Sequence, residues 1–163
     1  VGKLAGGLYL EVYGALHGLA GTTLALANVY GPRQDPNGEA GVVAIFAGLL
    51  LSGRPCTVFG TGEQIRDFVY VADVADALLA AAERGDGQLF NIGTGVGTSV
   101  NDLYRTMAAI VGGPDDPERG SARPGELDRS VLDATRAAGE LGWRPVTGLD
   151  DGLQATLDWF SDR

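Results

Sequence analysis

The sequence predicts an α/β chain in which most strands are parallel. Short runs typical of buried strands alternate with apolar helical patterns, and glycine or proline separates each run from the next. We expect about three to five short strands, which are few for an independent doubly wound sheet. The chain has 163 residues, 45% of them apolar and 20% charged, so it is long enough for one domain with a hydrophobic core.

The first third of the chain predicts a helix, a strand and a second helix. In residues 2–19 apolar side chains recur every three or four positions and form one stripe, as in a helix. Residues 22–29 are small, apolar or β-branched and predict a buried strand, which a turn at Gly31-Pro32 follows. Val42–Leu51 is apolar nearly all round, which predicts a helix that is buried or faces a partner.

The middle of the chain continues the alternation. Short strands are predicted at Thr57–Phe59 and at residues 67–71, on either side of a glycine-containing loop. An alanine-rich helix over residues 72–84 and a buried strand over residues 88–92 come next.

The last third is predicted to be mainly helical. Ser99 and Asp102 have the spacing of a capping box, which predicts a helix over Val100–Val111. Residues 112–129 are rich in glycine, proline and charge, and we expect them to be the least ordered stretch. A short strand at residues 130–132, a helix at 135–141 and a final helix at 149–162 follow, the last with Leu149, Leu153, Leu157 and Phe160 facing inward.

Composition and charge argue against several classes of function. The net charge of -9 disfavours nucleic-acid binding, which needs clustered lysine and arginine. No apolar stretch approaches the roughly 20 residues of a membrane helix, so we expect no membrane partner and a cytoplasmic location. The single cysteine, Cys56, predicts a small buried hydrophobe and supports neither redox chemistry nor a metal site.

Two local features suggest a dinucleotide site and a catalytic histidine, but the residues around each of them argue against that function. The GTGVG run at residues 93–97 lacks the third glycine of a dinucleotide fingerprint, because Thr98 stands at that place. A tight strand-to-helix turn is therefore favoured over a phosphate cradle. His17, the only histidine, is predicted at a helix end, where a partner for the helix dipole is favoured over a catalytic base.

Five phrases occur together in one order: NVYGPRQ, GEQIRDFVYVADVADA, FNIGTG, RPGELDRSVLD and ELGWRP. In that order they resemble the C-terminal part of the extended short-chain dehydrogenase/reductase family, the NAD-dependent epimerases and dehydratases of nucleotide sugars. QDPNGEAGVVAIF is most similar to UDP-glucose 4-epimerases. The resemblance implies an α/β fold made of a partial Rossmann-type parallel sheet plus the smaller substrate-binding domain. Residues 1–34 and about 60–98 would form the sheet, and about 35–59 and 99–163 the substrate-binding part.

The resemblance also implies a reaction, NAD-dependent hydride transfer through a 4-keto sugar. In the family, the tyrosine of a YxxxK pair removes a proton from the sugar hydroxyl, while the lysine lowers the pKa of that tyrosine and holds the nicotinamide ribose. Lys3 matches the lysine, which implies a catalytic and NAD-binding role; the tyrosine would precede Val1. We therefore expect a fragment of a longer enzyme that is inactive by itself.

Four residues match family positions at the nucleotide phosphates and ribose. Asn28 matches an asparagine that meets the diphosphate; a buried amide that caps its own loop is the alternative. Arg66 and Arg123 match arginines that clamp the diphosphate, since a guanidinium binds phosphate oxygens two at a time. The alternative for both is a surface salt bridge, with Asp67 and Glu126, contributing about 0–1 kcal/mol. Glu126 itself matches the acidic residue that contacts the ribose hydroxyls.

Thr57 and Phe59 match the stretch that lines the uracil, with a core edge strand as the alternative. Other positions depart from the family, since Gly7 replaces a glutamate, and Ala25 and Leu26 replace an arginine and a tyrosine. These changes fall around the nicotinamide side. The sequence therefore predicts UDP-sugar affinity and puts NAD binding by this chain in doubt.

Two other functions stay open. The first is another nucleotide-sugar epimerase or a 4,6-dehydratase. The second is a non-catalytic binding or dimerisation module. A homodimer through the N-terminal helix is also expected from the family, and Tyr9 and Tyr13 lie one turn apart on a face that could meet a partner.

Overall fold

The computed structural model describes residues 2–37 and 41–162. In this part of the chain helices and short strands alternate, which confirms the α/β prediction. The helices are α1 (Gly2–His17), α2 (Val42–Leu51), α3 (Val71–Arg84), α4 (Val100–Val111) and α5 (Leu149–Ser161), and Ala137–Leu141 forms a π-helical turn. The strands are β1 (Thr23–Leu26), β2 (Asn28–Tyr30), β3 (Thr57–Phe59), β4 (Ile65–Arg66), β5 (Phe68–Tyr70), β6 (Leu89–Ile92), β7 (Thr98–Ser99), β8 (Glu118–Gly120) and β9 (Arg129–Ser130).

The described strands form four small sheets in which parallel pairing dominates. β1 pairs with β6, β2 with β5, and β3 with β8, all in parallel. β4 lies between β9, which is parallel to it, and β7, which is antiparallel. The prediction of mostly parallel strands is therefore confirmed.

The single strand predicted over residues 22–29 is wrong, because the chain changes partner within it. The Ala27 amide donates to the Ile92 carbonyl at 2.8 Å, and the next amide, that of Asn28, donates to the Asp67 carbonyl at 2.8 Å. β1 therefore extends one sheet and β2 another. An apolar run predicts an extended backbone, but it contains no signal for the residue at which the chain changes from one partner strand to another.

Two hydrophobic clusters form the interior of the described chain. The first lies among α2, α4 and α5, where the Phe46 and Tyr104 rings meet edge to face at 5.7 Å. Leu153 and Leu157 of α5 are buried in it, and Leu149 and Phe160 pack against it, so the predicted inward face is confirmed. The second lies among β6, α3 and the π-helical turn, around Phe90 and Trp143.

The apolar helix Val42–Leu51 is confirmed as a buried element. Val43, Phe46 and Leu50 all belong to the first cluster. Cys56 is 1% exposed beside it, as predicted for a small hydrophobe, and burial raises the pKa of its thiol. The division of the chain into sheet-forming and substrate-binding segments stays a prediction.

The apolar stripe of the first helix is present but exposed. Within α1 none of the residues is buried, and Leu4 and Leu16 are each 71% exposed. His17 lies in the last turn, where the sequence placed it, with its ring 5.3 Å from that of Tyr13. The described part of the chain therefore does not itself cover this stripe.

Residues 112–129, which the sequence predicts to be the least ordered stretch, contain one short strand, β8. The Glu118 amide donates to the Cys56 carbonyl at 2.8 Å, and the Gly60 amide donates to the Gly120 carbonyl at 3.0 Å. The local composition predicts a loop, but a distant strand, β3, supplies the backbone partners. The helix predicted over residues 135–141 is present, and its Ala137–Leu141 part is π-helical.

The capping box that begins α4 is confirmed. The Ser99 hydroxyl oxygen accepts a hydrogen bond from the Asp102 amide at 3.0 Å. The hydroxyl in turn donates to the Asp102 carboxylate at 2.7 Å. One of the amides at the start of the helix, which have no intrahelical partner, is thereby satisfied.

A buried carboxylate joins three segments that are far apart in the sequence. Asp67, between β4 and β5, is 1% exposed. It accepts hydrogen bonds from the Thr94 amide at 2.9 Å, the Thr94 hydroxyl at 2.6 Å and the Gly95 amide at 3.1 Å. The Leu132 amide donates to it at 3.3 Å. The glycine-rich turn after β6 thus uses two of its amides to bind this carboxylate, as suits a structural turn.

A second buried carboxylate ties α3 to the segment before α5. Asp73 accepts from the amides of Val146 and Thr147 at 3.3 and 3.1 Å, and from the Thr147 hydroxyl at 3.1 Å. The Trp143 indole N–H donates to the Asp73 carbonyl at 2.8 Å.

Within the described residues, none of the helices combines the length and apolar character needed to cross a membrane.

We predict that Asp67→Ala lowers the free energy of unfolding by about 3 kcal/mol, because it leaves several donors without an acceptor. Urea denaturation followed by circular dichroism measures the change. Asp76→Ala, at an exposed position on α3, is the matched control and should stay within about 0.5 kcal/mol of the parent chain. Equal stability of the Asp67→Ala variant and the control would contradict the structural role of Asp67.

Candidate functional site

A cavity of about 190 Å³ opens between α2, β3 and the loop that precedes β9. Side chains from several separate parts of the sequence line it. They include all six residues that the sequence proposed for substrate binding: Asn28, Thr57, Phe59, Arg66, Arg123 and Glu126.

Local structure explains how β3 contributes to this cavity. Successive side chains of a strand point to opposite faces. Val58 is 1% exposed and belongs to the first hydrophobic cluster, while Thr57 and Phe59 on either side of it are only partly buried. β3 therefore anchors itself in the core through its middle residue. Thr57 and Phe59 thus line the cavity from a strand at the edge of its two-stranded sheet, and their match to the uracil-lining stretch stays a prediction.

One wall of the cavity is apolar and comes mainly from α2. Val42, Ile45 and Phe46 line it, together with Val100 at the start of α4. Phe46 is also part of the first hydrophobic cluster, so this wall is continuous with the core. A rigid apolar wall facing charged groups is typical of a small-molecule site.

Arg66 ends β4 with its guanidinium on the polar side of the cavity. Its Nη2 lies 3.3 Å from Oε1 of Glu126, and the two side chains are 15% and 30% exposed. Its Nη1 donates to the Ile65 carbonyl at 2.8 Å. A guanidinium carries five N–H donors, so these contacts leave donor capacity for a ligand.

Arg123 is the second arginine that lines the cavity. Its Cζ atom lies 4.0 Å from the centroid of the Phe59 ring, within the range of a cation–π contact. The positive charge of Arg123 therefore lies against Phe59, one of the two β3 residues that the family resemblance places at the uracil. The residue is exposed, so its guanidinium can also meet a ligand in the cavity.

Gln64 is a cavity residue that the sequence argument missed. Its Nε2 donates to the Phe59 carbonyl at 3.2 Å and to Oε2 of Glu126 at 3.5 Å. One amide group thus connects two of the predicted site residues. Its place two residues before Arg66 within the GEQIRDF phrase was the available signal, but local sequence does not indicate which atoms a glutamine reaches.

The structure corrects two of the alternative interpretations. Asn28 is exposed, so it is not a buried amide capping its loop. Arg66 pairs with Glu126, whereas the Asp67 carboxylate is buried and bound to the turn after β6 and to the Leu132 amide. The salt bridges proposed between near neighbours in the sequence are therefore wrong in their partners.

The catalytic and NAD-binding roles of Lys3 stay predictions. Lys3 is exposed in the first turn of α1 and is not among the residues that line the cavity. The amides of Thr94 and Gly95 in the glycine-rich turn already bind Asp67, so a pyrophosphate would have to displace a buried carboxylate.

Comparison with known proteins agrees with this geometry. Residues 1–93 match the sequence model of a family described as NAD dependent epimerase/dehydratase. The chain is 50% identical over 163 residues to a UDP-glucose 4-epimerase of Mycolicibacterium smegmatis. The matched region covers 99% of this chain and 52% of that protein.

Solved structures give the same result. The UDP-glucose 4-epimerase of Thermotoga maritima, solved with UDP-glucose, matches with a TM-score of 0.95 and 47% identity over 98% of this chain and 52% of that one. The Thermus thermophilus UDP-glucose 4-epimerase in complex with NAD matches with a TM-score of 0.87 and 42% identity over 96% of this chain and 51% of that one.

The chain thus spans about half the length of the relatives it matches. Its α/β fold is part of the extended short-chain dehydrogenase/reductase fold, with elements of the parallel sheet and of the smaller substrate-binding domain. The chain belongs to the NAD-dependent epimerase/dehydratase family.

Proposed function

We propose that the chain is the nucleotide-sugar-binding part of a UDP-glucose 4-epimerase-like enzyme, and that its cavity takes the UDP portion of the substrate. The observation that carries this proposal is the convergence of six residues from distant segments on one cavity. Two relatives that match nearly the whole chain at about half identity are UDP-glucose 4-epimerases, and one of them was solved with UDP-glucose.

Charge supports a diphosphate at this site. The chain has a net charge of -9, which repels anions in general. Among the described residues that line it, the cavity nevertheless contains two arginines, Arg66 and Arg123, against one carboxylate, that of Glu126. A diphosphate can replace Glu126 on Arg66 and form stronger, bidentate hydrogen bonds.

The remaining wall suits a nucleoside. Thr57 and Phe59 line the side on which we place the uracil, and Glu126 has carboxylate oxygens that can accept hydrogen bonds from ribose hydroxyls. In this arrangement the nucleotide anchors the substrate far from the reacting sugar carbon. Binding energy from such a remote group positions the sugar for reaction.

We further propose that the chain by itself neither binds NAD nor catalyses epimerisation. Lys3 is the one member of the catalytic pair that this sequence contains. In a longer enzyme NAD would supply the oxidising power for carbon four of the sugar. Here the amides of the glycine-rich turn are occupied by Asp67.

We predict that Arg66→Ala and Arg123→Ala each weaken UDP binding about tenfold or more, because each removes charge-assisted hydrogen bonds to phosphate. Isothermal titration calorimetry measures the dissociation constants. Arg105→Ala removes an exposed arginine of α4 that pairs with Asp102 outside the cavity, and it should leave UDP affinity unchanged. Equal affinity of all three variants would contradict the diphosphate assignment.

We predict no formation of the carbon-four epimer when the chain is incubated with UDP-glucose and NAD, because the tyrosine of the catalytic pair is not in this sequence. Chromatography of the nucleotide sugars is the readout, and titration with NAD should give no binding heat. Turnover, or tight NAD binding without UDP binding, would overturn this part of the proposal.

Finally, we propose a homodimer that forms through α1. Tyr9 and Tyr13 are 67% and 52% exposed on this helix, next to the uncovered apolar stripe. An exposed apolar face of this kind is typical of an interaction surface. β1 pairs only with β6 among the described strands, so association through its free edge has to be distinguished from pairing of the helices.

We predict that Tyr9→Glu converts the dimer to a monomer, because it places like charges across a two-fold interface. Sedimentation velocity over a concentration series gives the association state. Leu79→Glu changes a residue that is 68% exposed on α3 and serves as the matched control. A monomeric parent chain, or the same shift with both variants, would argue against pairing through α1.

A further inference from the structure

The loop between β3 and β4 is held on the N-terminal end of α4. The Asn101 amide donates to the Gly62 carbonyl at 3.0 Å, and the Val100 amide donates to the Gln64 carbonyl at 3.3 Å. The first amides of a helix have no partner within the helix, so they are available to hold an adjacent loop. The backbone of Gln64 is thereby fixed to a helix that begins in the core.

The side chain of Asn101 completes this attachment. Asn101 is 5% exposed, and its Nδ2 donates to the Thr61 carbonyl at 2.9 Å and to Oε1 of Glu63 at 2.6 Å. Its Oδ1 accepts from Nη1 of Arg119 at 2.8 Å. A Cβ atom on Gly62, whose φ is +76°, would lie 2.1 Å from that same Oδ1, so the close approach requires glycine. The loop therefore has little freedom to move.

From this fixed loop the Gln64 side chain reaches two separate parts of the cavity. The edge of β3 that faces β8 is already paired, for example through the Gly60 amide and the Gly120 carbonyl. The Phe59 carbonyl accepts from Nε2 of Gln64, and the same nitrogen donates to Oε2 of Glu126. A primary amide has two N–H donors, so one group can serve both acceptors.

The two oxygens of Glu126 are therefore shared between different partners. Oε1 faces Arg66 and Oε2 faces Gln64. A diphosphate that binds Arg66 would take away the first partner. Gln64 would then retain the carboxylate beside the Phe59 strand, where it can accept hydrogen bonds from a ribose.

We propose that Gln64 is a positioning residue of the nucleotide site, which holds Glu126 and the Phe59 strand in the arrangement that receives a nucleoside. The inference rests on the proposed function, since it assigns a role at the same cavity. It separates the site into two parts. Gln64 serves the nucleoside part, whereas the arginines serve the phosphates.

Affinities for UMP and UDP test this division, because the ratio of their dissociation constants isolates the second phosphate. Gln64→Met keeps the length of the side chain and removes its hydrogen bonds. It should weaken both ligands by the same factor, about fivefold, and leave the ratio unchanged. Arg66→Ala should change the ratio. Gln154→Met, on an exposed face of α5 where Gln154 bonds only to Asp158 among the contacts described, is the matched control and should change neither affinity.

A double-mutant cycle tests whether Gln64 acts through Glu126. In the Glu126→Ala background, Gln64→Met should weaken UMP binding less than it does in the parent chain, because part of its role is already lost. A merely structural role would give the same factor in both backgrounds. Gln64→Asn, too short to reach both acceptors, is the second variant if Gln64→Met does not fold, and the same loss is expected from it.

The outcomes separate this inference from the proposed function. If the parent chain binds UDP and UMP but Gln64→Met and Gln64→Asn leave both affinities unchanged, the positioning role is overturned while nucleotide binding stands. A change in the UDP-to-UMP ratio equal to that of Arg66→Ala would also overturn it, by placing Gln64 at the phosphates. If the folded parent chain binds neither nucleotide, the proposed function is overturned and this inference with it.

Discussion

The buried carboxylate of Asp67 is the interaction on which the rest of the structure depends. It binds the turn after β6 and the Leu132 amide after β9, so three segments distant in sequence meet at one side chain. Asp67 stands directly between Arg66, which faces the cavity, and Phe68, which is buried in the core. Because a buried carboxylate must be hydrogen-bonded, satisfying Asp67 also places the arginine beside it.

The candidate site combines a rigid wall with charges that are already paired. α2 is buried among α4 and α5, so the apolar side of the cavity is part of the core. On the other side, Arg66 holds Glu126 and Arg123 rests on Phe59. These contacts fix the positions of the two guanidinium groups. The Arg66–Glu126 ion pair is partly exposed and contributes only about 0–1 kcal/mol, so the proposed diphosphate can exchange with it at little cost.

Sequence-based prediction succeeded where the determining signal is local. α2 and α4 begin and end as predicted, because an unbroken apolar run in α2 and the Ser99 cap of α4 operate within a few residues. It failed for residues 22–29 and did not find β8, because both depend on a partner strand elsewhere in the chain. Similarly, the resemblance to the family identified six cavity residues, but it did not identify Gln64, because its role depends on which carbonyl and which carboxylate lie within its reach.

The sequence by itself determined the α/β class, the helices with strong local signals and the family, since ordered phrases along a chain need no folding to be recognised. Only the tertiary structure decided that the stripe of α1 is uncovered, that Asp67 is a structural carboxylate, and that Arg66 pairs with Glu126. The physical reason is that burial and pairing are properties of neighbours in space. Residues 66 and 126 are far apart along the chain and come together only when β4 pairs with β9, the strand that follows the loop of Glu126.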